Sequence, residues 1–328
     1  MRLVFMPNLN GCHQEERTML FLRNSYMQHA RHFERDLVDE GRIKISNTWF
    51  DESTADYWRH ARAYECAECL SRHSNATWLT VGDGRWGLDS IRIRKKGFVF
   101  ALPTDISGAL LEASKQRGYI QEYSVENAEH LSFKDQHFDY VFCKESFHHF
   151  PRPYLALYEM LRVAKRAVFL IEPNDTYAIK VKPTTFSSLL RSMVRFIRKQ
   201  PLEVPQPVFN PSSWEESGNY AYAISRREAE KVAYGLNLPQ LAFKGLNDHY
   251  VKGCEFEPAD PERSAVFREL VGIIQGKDSL CDKGLADYNM LMIGFFICPM
   301  DAEDKENFVH RGWEIIDLPR NPHTQELT

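Results

Sequence analysis

A glycine-rich turn followed by an acidic residue is the feature of this sequence that points most directly to chemistry. The turn, with the sequence GDGRWG, occupies residues 82–87 and follows the apolar segment 77–81. Asp105 ends the next apolar segment. Glycines let the backbone approach a ligand closely, and a carboxylate about 20 residues further on can hold a ribose. Together these features predict a nucleotide-shaped cofactor at the carboxyl ends of parallel strands.

A pair of histidines is the best candidate for proton transfer. His148 and His149 follow an apolar segment at 138–143, and ligands of open α/β sheets lie beyond the ends of such strands. An imidazole titrates near neutral pH, which suits a general base. We favour His148 as the base, with Glu145 as the group that orients it or as a second polar contact to the cofactor. The alternative is that the histidines only shape the pocket.

Two later apolar segments are also followed by polar residues that would face a substrate. These residues are Glu172, Asn174 and Asp175 after the first segment, and Asp248 and His249 after the second. Many polar groups on this side predict a hydrophilic substrate such as a sugar. Asp248 and His249 are a second candidate acid–base pair, and loop-capping roles are the alternative for each of these residues.

The segments between these residues alternate between strand and helix patterns. Apolar runs predict seven strands, at 77–81, up to 105, at 120–124, 138–143, 167–171, 241–246 and 291–298. Ser107 is placed to cap the helix after Asp105, and Ser225 with Glu228 forms a capping box. The order of elements predicts a Rossmann-like, doubly wound, mostly parallel sheet with helices on both faces.

The chain divides into three predicted parts. Residues 1–72 predict an N-terminal helical extension, residues 73–300 the cofactor-binding domain, and residues 301–328 a charged C-terminal tail. Two long interruptions, at about 177–219 and 250–286, are predicted to be insertions on the ligand side of the domain. Neither shows an apolar pattern that would give it a core of its own.

Composition excludes several classes of function. The 328 residues carry a formal net charge of −4, which gives no reason to expect binding to nucleic acid or to an anionic membrane. The 7 cysteines are scattered, which suits a reducing compartment. Cys66 and Cys69 form a CxxC without a second pair, so we expect packing residues and no metal site. Without a signal peptide or an apolar run of about 20 residues, a cytoplasmic protein is expected.

The first insertion is strongly basic. It has six lysines or arginines and no acid between residues 177 and 202, namely Lys180, Lys182, Arg191, Arg195, Arg198 and Lys199. Such a basic amphipathic helix at 180–199 can contact a membrane surface or a lipid-linked substrate. We favour a solvated lid helix that packs on its own domain. A homo-oligomer is compatible with the sequence.

The core resembles the class I S-adenosylmethionine-dependent methyltransferases, in the group similar to the ubiquinone and menaquinone methyltransferases. The resemblance covers residues from about 78 to 175 and rests on the glycine turn with the ordered segments 127–129, 138–139, 145–150, 156–163 and 172–173. It implies an enzyme that transfers a methyl group from S-adenosyl-L-methionine to a small molecule. The subgroup it indicates is that of sugar methyltransferases in bacterial surface-polysaccharide pathways.

The resemblance implies contacts to the methionine and ribose parts of the cofactor. The backbone at Gly82, Gly84 and Gly87 would pass beside the methionine part. Asp105 would accept hydrogen bonds from the ribose hydroxyls. The backbone carbonyl of Cys143 would face the amino group.

Four further residues would hold the adenine. Ile106 would lie on the face of the ring, and Asn127, where the family usually has aspartate, would accept a hydrogen bond from the adenine amino group. The backbone N–H of Ala128 or Glu129 would meet a ring nitrogen. The alternative for such residues is a purely structural role in the loops that carry them.

This sequence departs from the family pattern in two ways. Thr80 stands where the family usually has an acid, two residues before the first glycine. The turn is also one residue longer than usual, with the GxGxxG spacing of nicotinamide-dependent dehydrogenases. Asp83 or Asp89 would therefore take over the contact to the cofactor's amino group.

The function that the sequence predicts is O-methylation of a sugar or other small polar metabolite, by in-line transfer with histidine-assisted deprotonation. The alternative is an NAD(P)-dependent oxidoreductase, which explains the turn and Asp105 but gives no role to residues 127–129. Tyr154 and Tyr158 also lack the lysine four residues on that a Tyr-x-x-x-Lys hydride site needs. A third alternative is a cofactor-binding scaffold without activity.

Overall fold

The strands of the central sheet are apolar along their length because helices cover both faces of the sheet. In the computed structural model, Trp78 and Leu79 of the first strand and Val141 and Phe142 of the fourth are 0% exposed. Neighbouring residues of a strand point to opposite faces, so neither face of these strands meets water. The structure describes residues 10–32, 36–175, 214–215 and 219–323.

The sheet has eight strands in the order β3-β2-β1-β4-β5-β7-β6-β8. They are β1 (Thr77–Val81), β2 (Phe100–Asp105), β3 (Ser124–Val125), β4 (Phe138–Lys144), β5 (Ala164–Pro173), β6 (Gln240–Leu246), β7 (Met290–Phe296) and β8 (Glu314–Asp317). Strands β1 to β6 share one direction, and β7 and β8 run opposite to them. The predicted fold class is confirmed. The predicted count of seven strands is wrong, because a short apolar run in the charged tail pairs with β6 as β8.

Helices precede the sheet and alternate with its strands. They are α1 (Asn10–His32), α2 (Glu40–Thr48), α3 (Ala55–Ala61), α4 (Glu65–Cys69), α5 (Leu88–Lys95), α6 (Ala109–Gln116), α7 (Pro153–Val163), α8 (Arg226–Gly235), α9 (Ala265–Asp282) and α10 (Ala302–His310). Among the described residues, no helix has the length and apolar character needed to cross a bilayer.

Two apolar clusters lie on opposite sides of the sheet. On one side, Leu157 and Met160 of α7 and Ala229 of α8 are 0% exposed against the strands. On the other, α4 and α10 pack over the sheet through residues that include Cys66 and Phe308. Burial raises the pKa of the Cys66 thiol well above its ordinary value. The thiol therefore stays protonated and acts as a small packing residue.

A third, smaller core joins the N-terminal helices to the second predicted insertion. Trp58 of α3 packs edge-on against Phe267 of α9, with ring centroids 5.1 Å apart. Ala55 and Leu270 lie beside them and are 0% exposed. The predicted extension and the predicted insertion at 250–286 thus bury apolar surface against each other. The boundaries of the three predicted parts stay a prediction.

The third strand differs from its prediction at 120–124. Strand β3 consists of Ser124–Val125 alone, and these residues pair with Thr104 and Asp105 at the end of β2. Ile120, which the prediction placed in the strand, is 4% exposed and packs beside Gly87. Ile120 is therefore apolar because it packs against the glycine turn, and it does not extend the strand.

The helix after Asp105 begins differently from its prediction. Helix α6 starts at Ala109 with Gly108 at the N-cap position, and no side chain caps it. Ser107 instead donates its backbone N–H to the Asp105 carboxylate at 2.8 Å. The predicted cap at Ser107 is wrong because the acid at the end of β2 already organises this loop.

Most of the first predicted insertion, 177–219, lies outside the described residues, and so does the basic segment 180–199. Of this insertion the structure describes residues 214, 215 and 219. The predicted roles of the basic segment, a lid or a contact to lipid-linked substrate, stay predictions.

The capping box at the start of α8 is confirmed and offers a stability test. Ser225 Oγ accepts the N–H of Glu228, and the Glu228 carboxylate accepts the N–H of Ser225 at 2.9 Å. We expect Ser225→Ala to lower the free energy of unfolding by about 1 kcal/mol in urea denaturation, because the helix loses an N-cap acceptor. Ser225→Thr keeps the acceptor and should stay close to wild type. Equal losses in both variants would contradict the capping role.

Candidate active site

The turn after β1 approaches the loop after β4 so closely that a side chain on Gly82 would not fit. Gly82 has φ +75°, and a Cβ there would lie 2.4 Å from Cβ of Ser146. Ser146 donates its hydroxyl to the Gly82 carbonyl at 2.8 Å. The two loops are thus joined at the carboxyl ends of neighbouring strands, where ligands of such sheets bind.

Gly84 is a second position in the turn where a side chain would not fit. A Cβ on Gly84 would lie 2.7 Å from the Asp105 carboxylate, so the turn passes directly under this acid. Burial raises the pKa of Asp105 to about 6, although hydrogen bonds from the backbone N–H groups of Ser107, Gly84 and Ile106 oppose the rise. The carboxylate at the end of β2 is therefore fixed above the turn, as a ribose-binding acid requires.

The two other acids near the turn are occupied by the protein itself. The carboxylate of Asp83 accepts the Thr80 hydroxyl at 2.8 Å and the N–H groups of Asp89 and Ser90 at 3.0 and 2.9 Å. The Asp89 carboxylate accepts the hydroxyl of Tyr64. Asp83 is 3% exposed. These contacts fix the first turn of α5 and favour a structural role for both acids over the predicted contact to the cofactor.

A cavity of about 770 Å³ opens beside the turn. The predicted cofactor residues that line it are Gly82, Asp105, Ile106, Asn127, Ala128 and Glu129. Gly87 is the N-cap residue of α5, where an added Cβ would lie 3.2 Å from Pro103, and Cys143 is fully buried in β4. The structure brings the predicted ribose and adenine residues to one wall of one cavity, where their contacts to the cofactor stay predictions.

The adenine side of the cavity is held by contacts among its own residues. The Asn127 side-chain oxygen accepts the N–H of Glu129 at 3.0 Å. The Glu129 carboxylate accepts the backbone N–H of Arg152 at 2.7 Å and the hydroxyl of Tyr26 at 2.7 Å. Of the two predicted amide donors, that of Glu129 is therefore occupied, and Ala128 is the remaining candidate for the ring nitrogen.

His149 also lines the cavity and belongs to a polar network. Its Nδ1 contacts Oε1 of Glu215 at 2.5 Å. Asn219, which is 1% exposed, donates its amide to the other Glu215 oxygen at 2.9 Å and to the His149 carbonyl at 2.6 Å. His29 of α1 lies 3.1 Å from the Asn219 side-chain oxygen. Helix α1 and the end of the first insertion thus close the cavity over His149.

His148 binds a different carboxylate, although its ring centroid lies 4.0 Å from that of His149. Its Nδ1 lies 2.6 Å from Oε2 of Glu172, which is 0% exposed. The other Glu172 oxygen accepts the N–H groups of Ser146 and Phe147 at 2.9 and 3.0 Å. Among the described residues that line the cavity, His149 is present and His148 is not. The contacts of Glu172 favour an orienting role over the predicted contact to the substrate.

The other predicted substrate residues contact neighbouring segments of the fold. Asn174 donates its amide to the Tyr288 carbonyl at 2.9 Å, and Asp175 donates its backbone N–H to Ile224 at 3.1 Å. Asp248 forms an ion pair with Arg59, and His249 lies 3.3 Å from Nζ of Lys277. None of the four appears among the described residues that line the cavity. Their predicted role in substrate binding stays a prediction.

Sequence reasoning did not select several polar residues of the site. They are Tyr26, His29, Arg85, Trp214 and Glu215, all of which line the cavity. Arg85 lies within the glycine turn, and the others belong to the N-terminal helix or to the first insertion. The predicted position of that insertion on the ligand side was the one signal for Glu215 in the sequence.

A possible metal-ligand set lies apart from these residues. His73, Asp301 and Asp304 have ligand atoms within 4.8 Å of one another and form the one such group among the described residues. Arg72 already forms ion pairs with both aspartates, and Asp301 caps α10. Both carboxylates thus already have Arg72 as a partner, and Asp301 also has a structural role at the start of α10.

The family of the chain follows from its core. A family model described as a methyltransferase domain matches residues 79–171, which run from β1 into β5. This core is the methyltransferase domain of an S-adenosylmethionine-dependent enzyme. The predicted enzyme class and the predicted cofactor, S-adenosyl-L-methionine, are confirmed, and nothing favours the oxidoreductase. The geometry fits this cofactor, because the turn at Gly82 and Gly84 leaves no room for a side chain and places Asp105 over the cavity.

Solved structures of methyltransferases are similar to this methyltransferase at low identity. One from Thermotoga maritima, described as a possible histamine N-methyltransferase, is 15% identical, with 82% of this chain and 100% of that chain covered and a TM-score of 0.44. A phosphoethanolamine N-methyltransferase from Haemonchus contortus is 14% identical, with 83% and 61% covered and a TM-score of 0.45. No protein with a curated function matches the chain in sequence.

The close approach at Gly84 leads to a prediction about cofactor affinity. We expect Gly84→Ala to weaken binding of S-adenosylhomocysteine by 10-fold or more in isothermal titration, because the new Cβ displaces the Asp105 carboxylate. The control is Gly272→Ala in α9, where a Cβ meets nothing within 4 Å. Unchanged affinity in Gly84→Ala would show that this acid does not hold the cofactor.

The ion pair of His148 leads to a prediction about stability and pH. Burial lowers the pKa of His148, but the hydrogen bond and charge of Glu172 outweigh burial and raise the pKa above its ordinary 6.5. The folded state therefore favours the protonated ring. Its contribution to stability is fully present below about pH 6.5 and is lost as the pH rises through the folded-state pKa.

We accordingly expect His148→Gln to destabilise the protein more at pH 5.5 than at pH 9 in urea denaturation. His310→Gln, at an exposed position on α10, is the control for loss of an imidazole. A destabilisation that grows with pH would contradict the ion pair.

Proposed function

We propose that this methyltransferase O-methylates a sugar or another small polar metabolite, with His149 as the base that takes the hydroxyl proton. The observation that carries the proposal is that His149 lines the same cavity as the predicted cofactor residues, with its Nδ1 held by Glu215. A surface-polysaccharide intermediate fits this description and is the acceptor that the resemblance indicates.

The partner of His149 determines which ring nitrogen is basic. Burial raises the pKa of Glu215, but the hydrogen bond and charge of His149 outweigh burial and lower it. An ionised carboxylate only accepts hydrogen bonds, so Nδ1 of His149 carries the proton that it donates to Glu215. In the neutral ring, Nε2 then has the free lone pair. Glu215 also stabilises the imidazolium that forms when Nε2 takes up a proton.

The cofactor supplies an activated methyl group, so the protein has to align the acceptor, exclude water and accept one proton. As the acceptor oxygen forms its bond to the methyl carbon, the carbon–sulfur bond breaks and the hydroxyl proton passes to Nε2 of His149. The products are a methyl ether and S-adenosylhomocysteine. Tyr26 and His29 of helix α1 also line the cavity, where Tyr26 binds Glu129 and His29 lies 3.1 Å from the Asn219 side-chain oxygen.

The geometry favours His149 over His148, which the sequence favoured. Both rings hold a carboxylate through Nδ1, but the side chain of His149 is 43% exposed and that of His148 is 16% exposed. The ion pair with Glu172 fixes His148 and its loop. The more exposed His149 is the next residue along the chain. In this proposal His148 is a positioning residue.

This assignment predicts the kinetic effect of removing the base. With the best acceptor from a panel of free and nucleotide-linked sugars, we expect His149→Ala to lower turnover about 100-fold, because one step of general-base catalysis is lost. Glu215→Gln should also lower turnover, because its amide can no longer stabilise the imidazolium. Affinity for S-adenosylhomocysteine should change less than about 2-fold in both variants.

The control for this experiment is His310→Ala on α10. If His149→Ala keeps full turnover while His148→Ala loses it, the base is His148 and the assignment is wrong. If no hydroxylated acceptor in the panel is methylated but an amine is, the reaction is N-methylation.

A further inference from the structure

The amino-acid end of the cofactor needs partners that the glycine turn does not supply. That end is a zwitterion, with one ammonium and one carboxylate group. Thr80 occupies the place of the usual acid, and the carboxylates of Asp83 and Asp89 hold α5 and Tyr64. An ionised partner for the ammonium, beside the Cys143 carbonyl, can therefore come from another loop that reaches the turn.

Glu145 stands where such a partner is needed. It lies one residue before Ser146, whose hydroxyl binds the Gly82 carbonyl. Its backbone has φ +50°, which a residue other than glycine rarely adopts and which the surrounding loop has to stabilise. One carboxylate oxygen, Oε2, forms an ion pair with Lys144. Oε1 has no hydrogen bond within the described part of the chain, and 36% of the side chain is exposed.

The charges around Glu145 keep it ionised. Lys144 lowers its pKa to about 2 against the effect of burial, and the more distant charges of Arg85 and Arg59 add to this effect. The side chain of Lys144 is itself 10% exposed, so its end of the ion pair is largely shielded from solvent. Glu145 thus presents a permanent negative charge beside the turn, as an ammonium ligand requires.

Arg85 supplies the opposite charge. It belongs to the glycine turn and lines the cavity, and its guanidinium lies 5.6 Å from the ring centroid of Trp49. Within the described residues it forms no ion pair and no side-chain hydrogen bond. Its charge also helps to lower the pKa of Glu145. An unpaired guanidinium on a cavity wall is suited to a carboxylate, which it can bind through two N–H groups.

We propose that Glu145 and Arg85 form a clamp for the zwitterionic end of S-adenosylmethionine, with Glu145 on the ammonium group and Arg85 on the carboxylate. This clamp replaces the acid missing at Thr80. Lys144 holds the second oxygen of Glu145 and so acts as a positioning residue. The inference rests on the confirmed cofactor and is independent of the acceptor and of His149.

The test compares two ligands that differ only at this end. S-adenosylhomocysteine carries the amino-acid group, and 5′-methylthioadenosine ends in a methyl group instead. In isothermal titration of the full chain, we expect Glu145→Gln and Arg85→Gln each to weaken binding of S-adenosylhomocysteine about 10-fold or more, because each removes a charge-assisted hydrogen bond. Binding of 5′-methylthioadenosine should change less than about 2-fold.

Arg227→Gln, at an exposed arginine of α8, is the matched control for loss of one positive charge and should bind both ligands like wild type. Equal losses for both ligands would mean that the substitutions distort the cavity, and the clamp would be rejected. Unchanged binding of S-adenosylhomocysteine would also reject it. Failure of the clamp leaves tight binding of the wild-type chain and its kinetics with His149 unaffected, so the two proposals fail separately.

Discussion

A single buried carboxylate at the end of β5 organises the active site. Glu172 is 0% exposed and accepts hydrogen bonds from the backbone N–H groups of Ser146 and Phe147 and from Nδ1 of His148. An isolated buried carboxylate is costly, and three donors make its burial tolerable. Because Ser146 in turn binds Gly82, this one acid fixes the loop after β4 relative to the turn after β1.

This constraint affects both the proposed base and the proposed clamp for the cofactor. The loop that Glu172 holds carries Glu145 on one side of Ser146 and His149 on the other. If the loop moved, the negative charge beside the turn and the imidazole on the cavity wall would move with it. The close contact at Gly82 tolerates no such shift, because the space for even one added carbon atom is missing.

The fold was predictable from the sequence to a large extent. The strands at 77–81 and 138–144, the capping box at Ser225 and the order of the parallel elements follow from local patterns of apolar and capping residues. Strand β8 was missed because its pattern is short and its burial depends on pairing with β6. The third strand was predicted too early in the chain, at 120–124. Ile120 is apolar because it packs against Gly87, and it does not belong to the sheet.

The site was predictable where it depends on segments that are close in sequence. Gly82 and residues 105–106 and 127–129 line one cavity, and the sequence indicated all of them. The choice between His148 and His149 depends on Glu172 and Glu215, which approach them from distant segments. No spacing in the sequence distinguishes two adjacent imidazoles. The roles of Asp83 and Asp89 likewise depend on contacts to α5 and Tyr64 that a motif does not show.

The cavity is lined by segments of two origins. One set consists of loops of the sheet, whose positions the strands fix. The other consists of α1 and residues 214 and 215, and Asn219 connects them by binding His29, Glu215 and the His149 carbonyl. Changes at His29 or Glu215 would therefore alter the surroundings of His149, whereas a change at Tyr26 would also reach Glu129 among the predicted adenine residues. Such an arrangement allows acceptor preference to diverge between related enzymes through residues of the accessory segments.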